Sequence, residues 1–375
     1  MTGRLELPAQ PRILVVALRR LGDVLLTTPL IRSLRKAWPD ARIDVLVFGD
    51  TAAILANNPD IENVLINPQR ASVLETLGLV ARLWRRYDLA ISTQAGDRPS
   101  FLAILAGRKR VGLSEPRLLG RVKSFLFSRD IQARSNLHRV DETLLLAGLI
   151  GIEPCAEIVA PRAASPSALQ PKVPYAVLHA APFFRYKQWH RDGWRNVGKH
   201  LSQNGLQIVA TGGPGAQERA YLDDIWNGSG IDMQRLDGKL TWPELASLLS
   251  GARVYVGPDT SVTHLAAASG CPTVAVYGPT DPRRWGPWPE QGLDRPWDAS
   301  GTIQRRGNVW LIQTPLPCMP CQREGCLRCV TSYSLCLDEM PAERVTGVLD
   351  EVLVSAAPDG AAQGGAVAKT PLLSH

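Results

Sequence analysis

The chain contains no apolar run approaching the ~18 to 20 residues needed to cross a bilayer. Its opening, MTGRLELPAQPR, has no apolar signal core and leads directly into a strand-like segment, so export is not expected. Aromatic residues make up only 6% of the sequence and do not interleave with the basic clusters, and no RNA-binding signature is present. A nucleic-acid partner is therefore not expected. Without export, the seven cysteines are expected to be reduced or metal-bound rather than paired in disulfides.

What is present fits a soluble globular protein, with 45% hydrophobic and 21% charged residues. At ~100 to 200 residues per domain, a chain of 375 residues suggests two domains. The net charge of +7 reflects clusters at Arg19/Arg20, Arg82/Arg85/Arg86, Arg108/Lys109/Arg110 and Arg117/Arg121/Lys123, mostly in the first half. Such a surface suits an anionic partner, although a solvated basic face without a partner has the same composition.

Strand and helix patterns alternate along the chain, which predicts an α/β fold of parallel sheets. In the first half, strands are expected at Pro11 to Leu18, Ile43 to Phe48, Val64 to Ile66, Leu89 to Ser92 and Arg110 to Gly112. Helices are expected at Asp23 to Ala37, Val73 to Arg86 and His138 to Leu149. Between Pro154 and Pro174 the chain turns Pro-, Ala- and Ser-rich and loses periodicity, marking a linker. The alternation restarts with strands at Tyr175 to His179 and Leu206 to Ala210, and helices at Arg191 to Gln203, Gln217 to Trp226 and Trp242 to Ser250. An amphipathic helix, Pro341 to Ser355, precedes an Ala/Gly/Pro-rich tail.

The most informative stretch is YVGPDTSVTHLAAASGCPTVAVYGPTDP. Arg253 to Val256 is strand-like, Gly257 and Pro258 break it, and Asp259, Thr260 and Ser261 supply N-cap chemistry for a helix carrying Leu265, Ala266 and Ala268. The first turn of that helix offers free N–H groups and a positive dipole end at the carboxyl edge of a sheet, where an anion binds. His264 lies close enough to reach the same anion, and the loop Gly278-Pro279-Thr280 should open on the same edge. Near the N-terminus the first strand runs into Arg19-Arg20-Leu21-Gly22-Asp23. Gly22 permits a tight turn with the backbone close to a ligand, and Asp23 is either a helix cap or a carboxylate that takes a proton.

These two segments, LGDVLLTTPLIRSLRKAWPDARIDVLV and VGPDTSVTHLAAASGCPTVAVYGPTDP, resemble glycosyltransferase family 9, the ADP-heptose:lipopolysaccharide heptosyltransferases, over roughly residues 11 to 350. The resemblance implies a GT-B architecture, two Rossmann-like domains facing across a cleft. Residues 1–160 would be the acceptor domain, 161–173 the linker and 174–340 the nucleotide-sugar donor domain, with a Cys-rich segment at 318–336. A C-terminal helix at 341–356 and a disordered tail at 357–375 would follow. The resemblance places the catalytic general base on Asp23 and the diphosphate-binding pattern on Asp259, Thr260, Ser261 and His264, with Ser261 where glycine is more usual. It places a charge-neutralising lysine on Lys187 of HAAPFFRYKQWHRDGW and a ribose-binding glutamate on Glu218, which as a first-turn residue is also read as stabilising a helix dipole. Lys239, Leu240 and Thr241 would border the base, and Arg19, Arg20 and Gly22 the acceptor. The form LRRLGDVLLTTP is nearer the later-acting, third-heptose type than the first.

No Asp-x-Asp metal pattern is evident, so the implied reaction is metal-independent and inverting, with no cofactor required for catalysis. The implied partners are an ADP-sugar donor and a phosphorylated glycolipid, the lipopolysaccharide core, met by peripheral contact at the cytoplasmic face of the inner membrane. Transfer to a protein or another glycan is the alternative acceptor reading. A nucleic-acid-binding module using a nucleotide fold is the alternative of another class. Cys318, Cys321, Cys326, Cys329 and Cys336 form two Cys-x-x-Cys pairs and a fifth thiol, open to a structural zinc or iron site or to reduced thiols.

Overall fold

The computed structural model describes residues 3–355, so the expected disordered tail at 357–375 and residue 356 of the C-terminal helix lie outside the described residues. The first half contains β1 (Arg12–Val16), α1 (Leu21–Leu25), α2 (Thr28–Ala37), β2 (Arg42–Phe48), β3 (Asn63–Asn67) and α3 (Val73–Leu83). It continues with β4 (Tyr87–Ser92), α4 (Asp97–Ala106), β5 (Gly107–Ser114), α5 (Leu118–Leu126), β6 (Arg129–Gln132) and α6 (Arg139–Leu149). The second half begins with β7 (Tyr175–Leu178), α7 (Arg191–Gln203), β8 (Gln207–Ala210), α8 (Ala216–Trp226), β9 (Met233–Arg235) and α9 (Trp242–Ser250). Then follow β10 (Val254–Pro258), α10 (Ser261–Ala268), β11 (Thr273–Val276), α11 (Pro282–Trp285), β12 (Ile303–Arg306), β13 (Val309–Ile312), α12 (Leu335–Asp338) and α13 (Ala342–Ser355).

The first sheet has strand order β3-β2-β1-β4-β5-β6, parallel throughout. The second repeats that order as β9-β8-β7-β10-β11-β13, also parallel, with β12 added antiparallel at the edge. Each sheet is covered on both faces, which is why β7 and β11 are buried at every position and read as unbroken apolar runs. In such an order the chain reverses direction beside the first strand, between β1 and β4 and again between β7 and β10. Helices leave that point on opposite faces and open a crevice at the carboxyl ends of the strands.

Several expected elements differ. The single helix from Asp23 to Ala37 is two, because Pro29 sits in the first turn of α2, where its missing N–H and fixed φ start a helix rather than continue one. The short strand at Arg110 to Gly112 is eight residues long, its first half masked by three basic side chains. The sequence reading missed α4, whose buried positions follow little helical periodicity, and α5 with β6. It also missed β9 and the hairpin of β12 and β13.

Candidate functional site

The carboxyl ends of the two sheets face each other across a cleft of about 1540 Å³. Arg19, Arg20, Gly22 and Asp23 from the first half line it, with Lys187, Glu218, Asp259, Thr260, Ser261 and His264 from the second. All of the catalytic, donor and acceptor candidates therefore stand on one cavity, and the cysteines do not.

Gly22 and Asp23 lie within α1, against the N-terminus of α10. Gly22 does not adopt a left-handed conformation, so its role as a tight-turn glycine is corrected. A Cβ added there would stand 3.5 Å from His264 Cδ2 and 3.7 Å from Ser261 Cα. A Cβ there would make ordinary van der Waals contact, so α1 of one half and α10 of the other are close neighbours across the cleft. Asp23 Oδ1 is buried without a hydrogen bond. It faces two guanidiniums, Arg19 Nη1 at 3.6 Å and Arg139 Nε at 4.0 Å.

Arg139 was not singled out from sequence. It is buried, bonded to Glu142 at 2.5 Å and to the Thr93 carbonyl at 2.5 Å, so the β4 loop and α6 hold it behind Asp23. Glu142 also receives Arg284 at 2.7 Å, and Arg284 Nη1 donates to the Arg134 and Leu137 carbonyls, clasping α11 of the second half to α6 of the first. Burial pushes the Glu142 carboxyl up, but Arg284 and Arg139 outweigh that and hold it below the usual carboxylate range. No periodicity could have signalled this cluster, because its members meet only through tertiary contacts.

On the opposite wall Thr260, not Asp259, caps α10, its hydroxyl accepting from the Thr263 N–H at 3.3 Å. Among the described residues, the N–H groups of Ser261 and Val262 find no protein acceptor, which leaves an anion-binding helix end open to the cleft. Asp259 Oδ2 receives Lys187 Nζ at 2.6 Å and the Thr280 hydroxyl at 2.6 Å. Burial pushes the Asp259 carboxyl up, and Lys187, Thr280 and His264 outweigh it to hold the group below the usual range. Asp259 thus fixes the lysine and the β11 loop rather than facing an anion itself. His264 is buried with Nδ1 unpartnered, and burial followed by Lys187 pulls its pKa down against the opposing pull of Asp259 and Asp23.

Glu218 bends back so that Oε1 accepts from the Gly213 N–H at 2.6 Å, closing the β8 loop while its carboxylate still borders the cleft. Leu240 and Trp242 form an apolar wall beside it. Trp189 is packing: it is 1% exposed, donates to the Met340 carbonyl at 3.0 Å and lies edge-on to Trp194. Arg20 crosses the cleft and lies 4.8 Å over the Phe184 ring.

The cysteine segment was open in sequence to a structural metal or to reduced thiols. Among the described residues no group of three or more His, Cys, Asp or Glu side chains is placed to hold one metal ion, and all five thiols are free. Cys326 Sγ accepts from the Leu335 N–H at 3.4 Å and Cys329 Sγ lies 3.6 Å from the Thr331 hydroxyl. Burial, with the thiolates of Cys321, Cys326 and Cys318 adding to it, pushes Cys336 up to about 12. The segment docks by ordinary hydrogen bonds, from the Gln322 N–H to the Pro279 carbonyl at 2.8 Å and from Ser334 to the Tyr186 carbonyl at 2.6 Å. Its turn, Gln322 to Glu324, forms part of the cleft wall.

A family model, glycosyltransferase family 9 (heptosyltransferase), matches residues 77–294. The chain belongs to glycosyltransferase family 9. Family 9 relatives include lipopolysaccharide heptosyltransferase 3 of Escherichia coli strain K12, 30% identical over 292 residues, covering 72% of this chain and 83% of that protein. Lipopolysaccharide heptosyltransferase 1 of Pseudomonas aeruginosa is 26% identical over 371 residues, covering 92% and 98%. Among solved structures, the E. coli ADP-heptose lipopolysaccharide heptosyltransferase II superposes with a TM-score of 0.69 at 20% identity, covering 92% of this chain and 99% of that one. The protein is thus a glycosyltransferase of GT-B architecture, as the paired sheets imply. The family match contains Lys187, Asp259 and His264 but begins after Asp23.

The clasp between the halves of this family 9 chain is sensitive to acid. His138 Nε2 contacts the Gly286 carbonyl at 2.9 Å and its ring lies 4.7 Å from that of Trp288. Burial pulls its pKa from 6.5 to about 3, so the folded protein keeps it neutral. Below pH 6.5 the unfolded chain binds a proton that the folded one refuses, and stability drains away as pH falls toward 3. This one group should cost about 2 kcal/mol between pH 6.5 and 5. Thermal unfolding at pH 7 and 5 should show a smaller drop for His138→Gln than for the parent; equal drops would remove His138 as the cause.

Proposed function

We propose that this protein transfers heptose from ADP-heptose to a hydroxyl of the lipopolysaccharide inner core, with Asp23 as general base. The observation that carries this reading is the opposition, across one cleft, of Asp23 on α1 to Lys187 and the open N-terminus of α10. Asp23 takes the proton of the acceptor hydroxyl, whose oxygen attacks the anomeric carbon from the face opposite ADP. The bond from that carbon to the diphosphate breaks, its electron pair leaves with ADP, and the centre inverts. Lys187 keeps two N–H bonds beyond the one to Asp259, and with the Ser261 and Val262 N–H groups and His264 it receives the charge that develops on the diphosphate. No divalent ion is needed for that step.

Glu218 fits the ribose hydroxyls, and Leu240 with Trp242 fits a flat purine. Arg19 and Arg20 fit phosphates on the acceptor. The relative at 30% identity is a heptosyltransferase 3, in line with the form of the Gly22-Asp23 segment. No helix of the described residues is long and apolar enough to cross a membrane, and the reading places the protein at the cytoplasmic face of the inner membrane as a peripheral enzyme. Thermal unfolding with ADP, UDP, GDP and CDP tests the donor: a ligand at ~100 times its dissociation constant adds ~2.7 kcal/mol. ADP alone should raise the melting temperature by the corresponding amount. A larger shift with UDP or GDP would overturn the ADP assignment, and transfer of heptose from ADP-heptose to heptosylated core oligosaccharide completes the test.

A further inference from the structure

The helix α5 is turned inside out. Its single lysine, Lys123, is buried, donating to the Ala95 carbonyl at 2.6 Å and pairing with Asp97 at 2.8 Å. Its apolar residues face outward instead: Leu118 is 81%, Val122 52% and Phe125 92% exposed, at positions that share one face. Lys123 reaches inward to the Ala95 carbonyl and pairs with the exposed Asp97, and with the lysine turned in the apolar stripe faces out.

The stripe has neighbours. α4 touches α3 on one side and is tied to α5 by Lys123 and Asp97 on the other. α3 exposes Leu74 and Leu77, and α4 exposes Phe101. The three helices leave β3, β4 and β5 through short loops, so their first turns lie at the carboxyl edge of the first sheet, the edge on which Asp23 stands. An isolated exposed leucine needs no explanation, but large apolar side chains on three adjoining helices do.

Charge points to what covers them. Residues 69–126 carry eleven Lys and Arg against four Asp and Glu, a net of +7 equal to that of the whole chain. Helix α5 has no acidic residue, and Arg121 within it and Arg117 at its N-cap, the latter 3.7 Å from Glu115, are exposed beside the apolar stripe. Apolar side chains flanked by arginines match the boundary between acyl chains and anionic headgroups, whereas a protein partner would need acidic groups around its own apolar patch.

We propose that α5, with the rim of α3 and α4, is a membrane-docking surface that inserts Leu118, Val122 and Phe125 into an anionic bilayer and sets the cleft against it. The proposal deepens the reading of a lipid-borne acceptor, but vesicle binding is read without donor or acceptor, so the two can fail separately. The full-length protein should float with phosphatidylglycerol-containing vesicles and far less with phosphatidylcholine alone, and salt should weaken binding. Leu118→Asp with Phe125→Asp should lower vesicle affinity at least ~10-fold, the scale of withdrawing two large apolar side chains, while the ADP-induced thermal shift and transfer to a detergent-free core oligosaccharide stay unchanged. Unaltered vesicle binding by the double variant, or none by the parent, overturns the proposal. So does a concentration-dependent dimer that the variant abolishes without any vesicle binding, since the face would then be a contact between copies.

Discussion

Asp23→Asn should reduce heptosyl transfer by at least ~100-fold, the usual scale for loss of a general base, and leave ADP binding within about twofold of the parent, since Asp23 touches no donor group in this reading. The substitution keeps the shape and removes the charge. Asp23 is backed by Arg19 and Arg139, both directed at Oδ1, and the amide no longer accepts the proton of the reacting hydroxyl. Steady-state kinetics with ADP-heptose, alongside calorimetric ADP binding, separates transfer from donor binding. Near-normal turnover would take Asp23 out of the base role and leave the cleft in need of another proton acceptor.

Lys187→Ala should have the second large effect, at the donor. The ammonium pairs at 2.6 Å with Asp259, whose side chain is only 7% exposed. Breaking a buried ion pair from one side costs about 3 to 5 kcal/mol because the remaining charge loses its compensation. Here the remaining charge is a carboxylate beside the proposed diphosphate position, so ADP affinity should fall by ~100-fold or more. Asp259→Asn added to Lys187→Ala should recover part of that loss by removing the repulsion, a non-additivity expected only of groups in contact. Calorimetric titration of ADP into both variants reads the result. Unchanged affinity in the single variant would move the donor site elsewhere. In the parent, the Asp259 pairing stabilises the fold above the ordinary carboxyl pKa of 3.8 and is lost only as pH falls through its lower folded value. The neutral range therefore tests His138 and not this pair.

Much of the cleft is legible in the sequence because its parts are local. A strand ending in Gly257-Pro258, followed by Asp259-Thr260-Ser261 and an alanine-rich helix, can only place N–H groups at a sheet edge. The segment carrying Gly22 and Asp23 is similarly local. What the residues do there is partly different: Thr260 caps α10, Asp259 anchors Lys187, and Gly22 lies within helix α1 with no left-handed backbone. The cysteine spacing shows the limit of such reasoning, since two Cys-x-x-Cys pairs fit a metal site and reduced thiols alike, and among the described residues no three His, Cys, Asp or Glu side chains are placed to hold one ion.

By itself the sequence determined the alternation of strands and helices, the α/β class, and the two segments that end at opposing sheet edges. These follow from periodicity, glycine and proline breaks and capping chemistry, all acting within a few residues. Only the tertiary structure decided which distant groups meet. Arg139 stands behind Asp23 because β6 returns the chain to α6. Arg284 reaches Glu142 because the two halves close, and the lysine of α5 turns inward because Asp97 lies at the foot of a neighbouring helix. Such contacts depend on desolvation and pairing between charges far apart in the chain, and no local pattern encodes a partner that folding alone brings near.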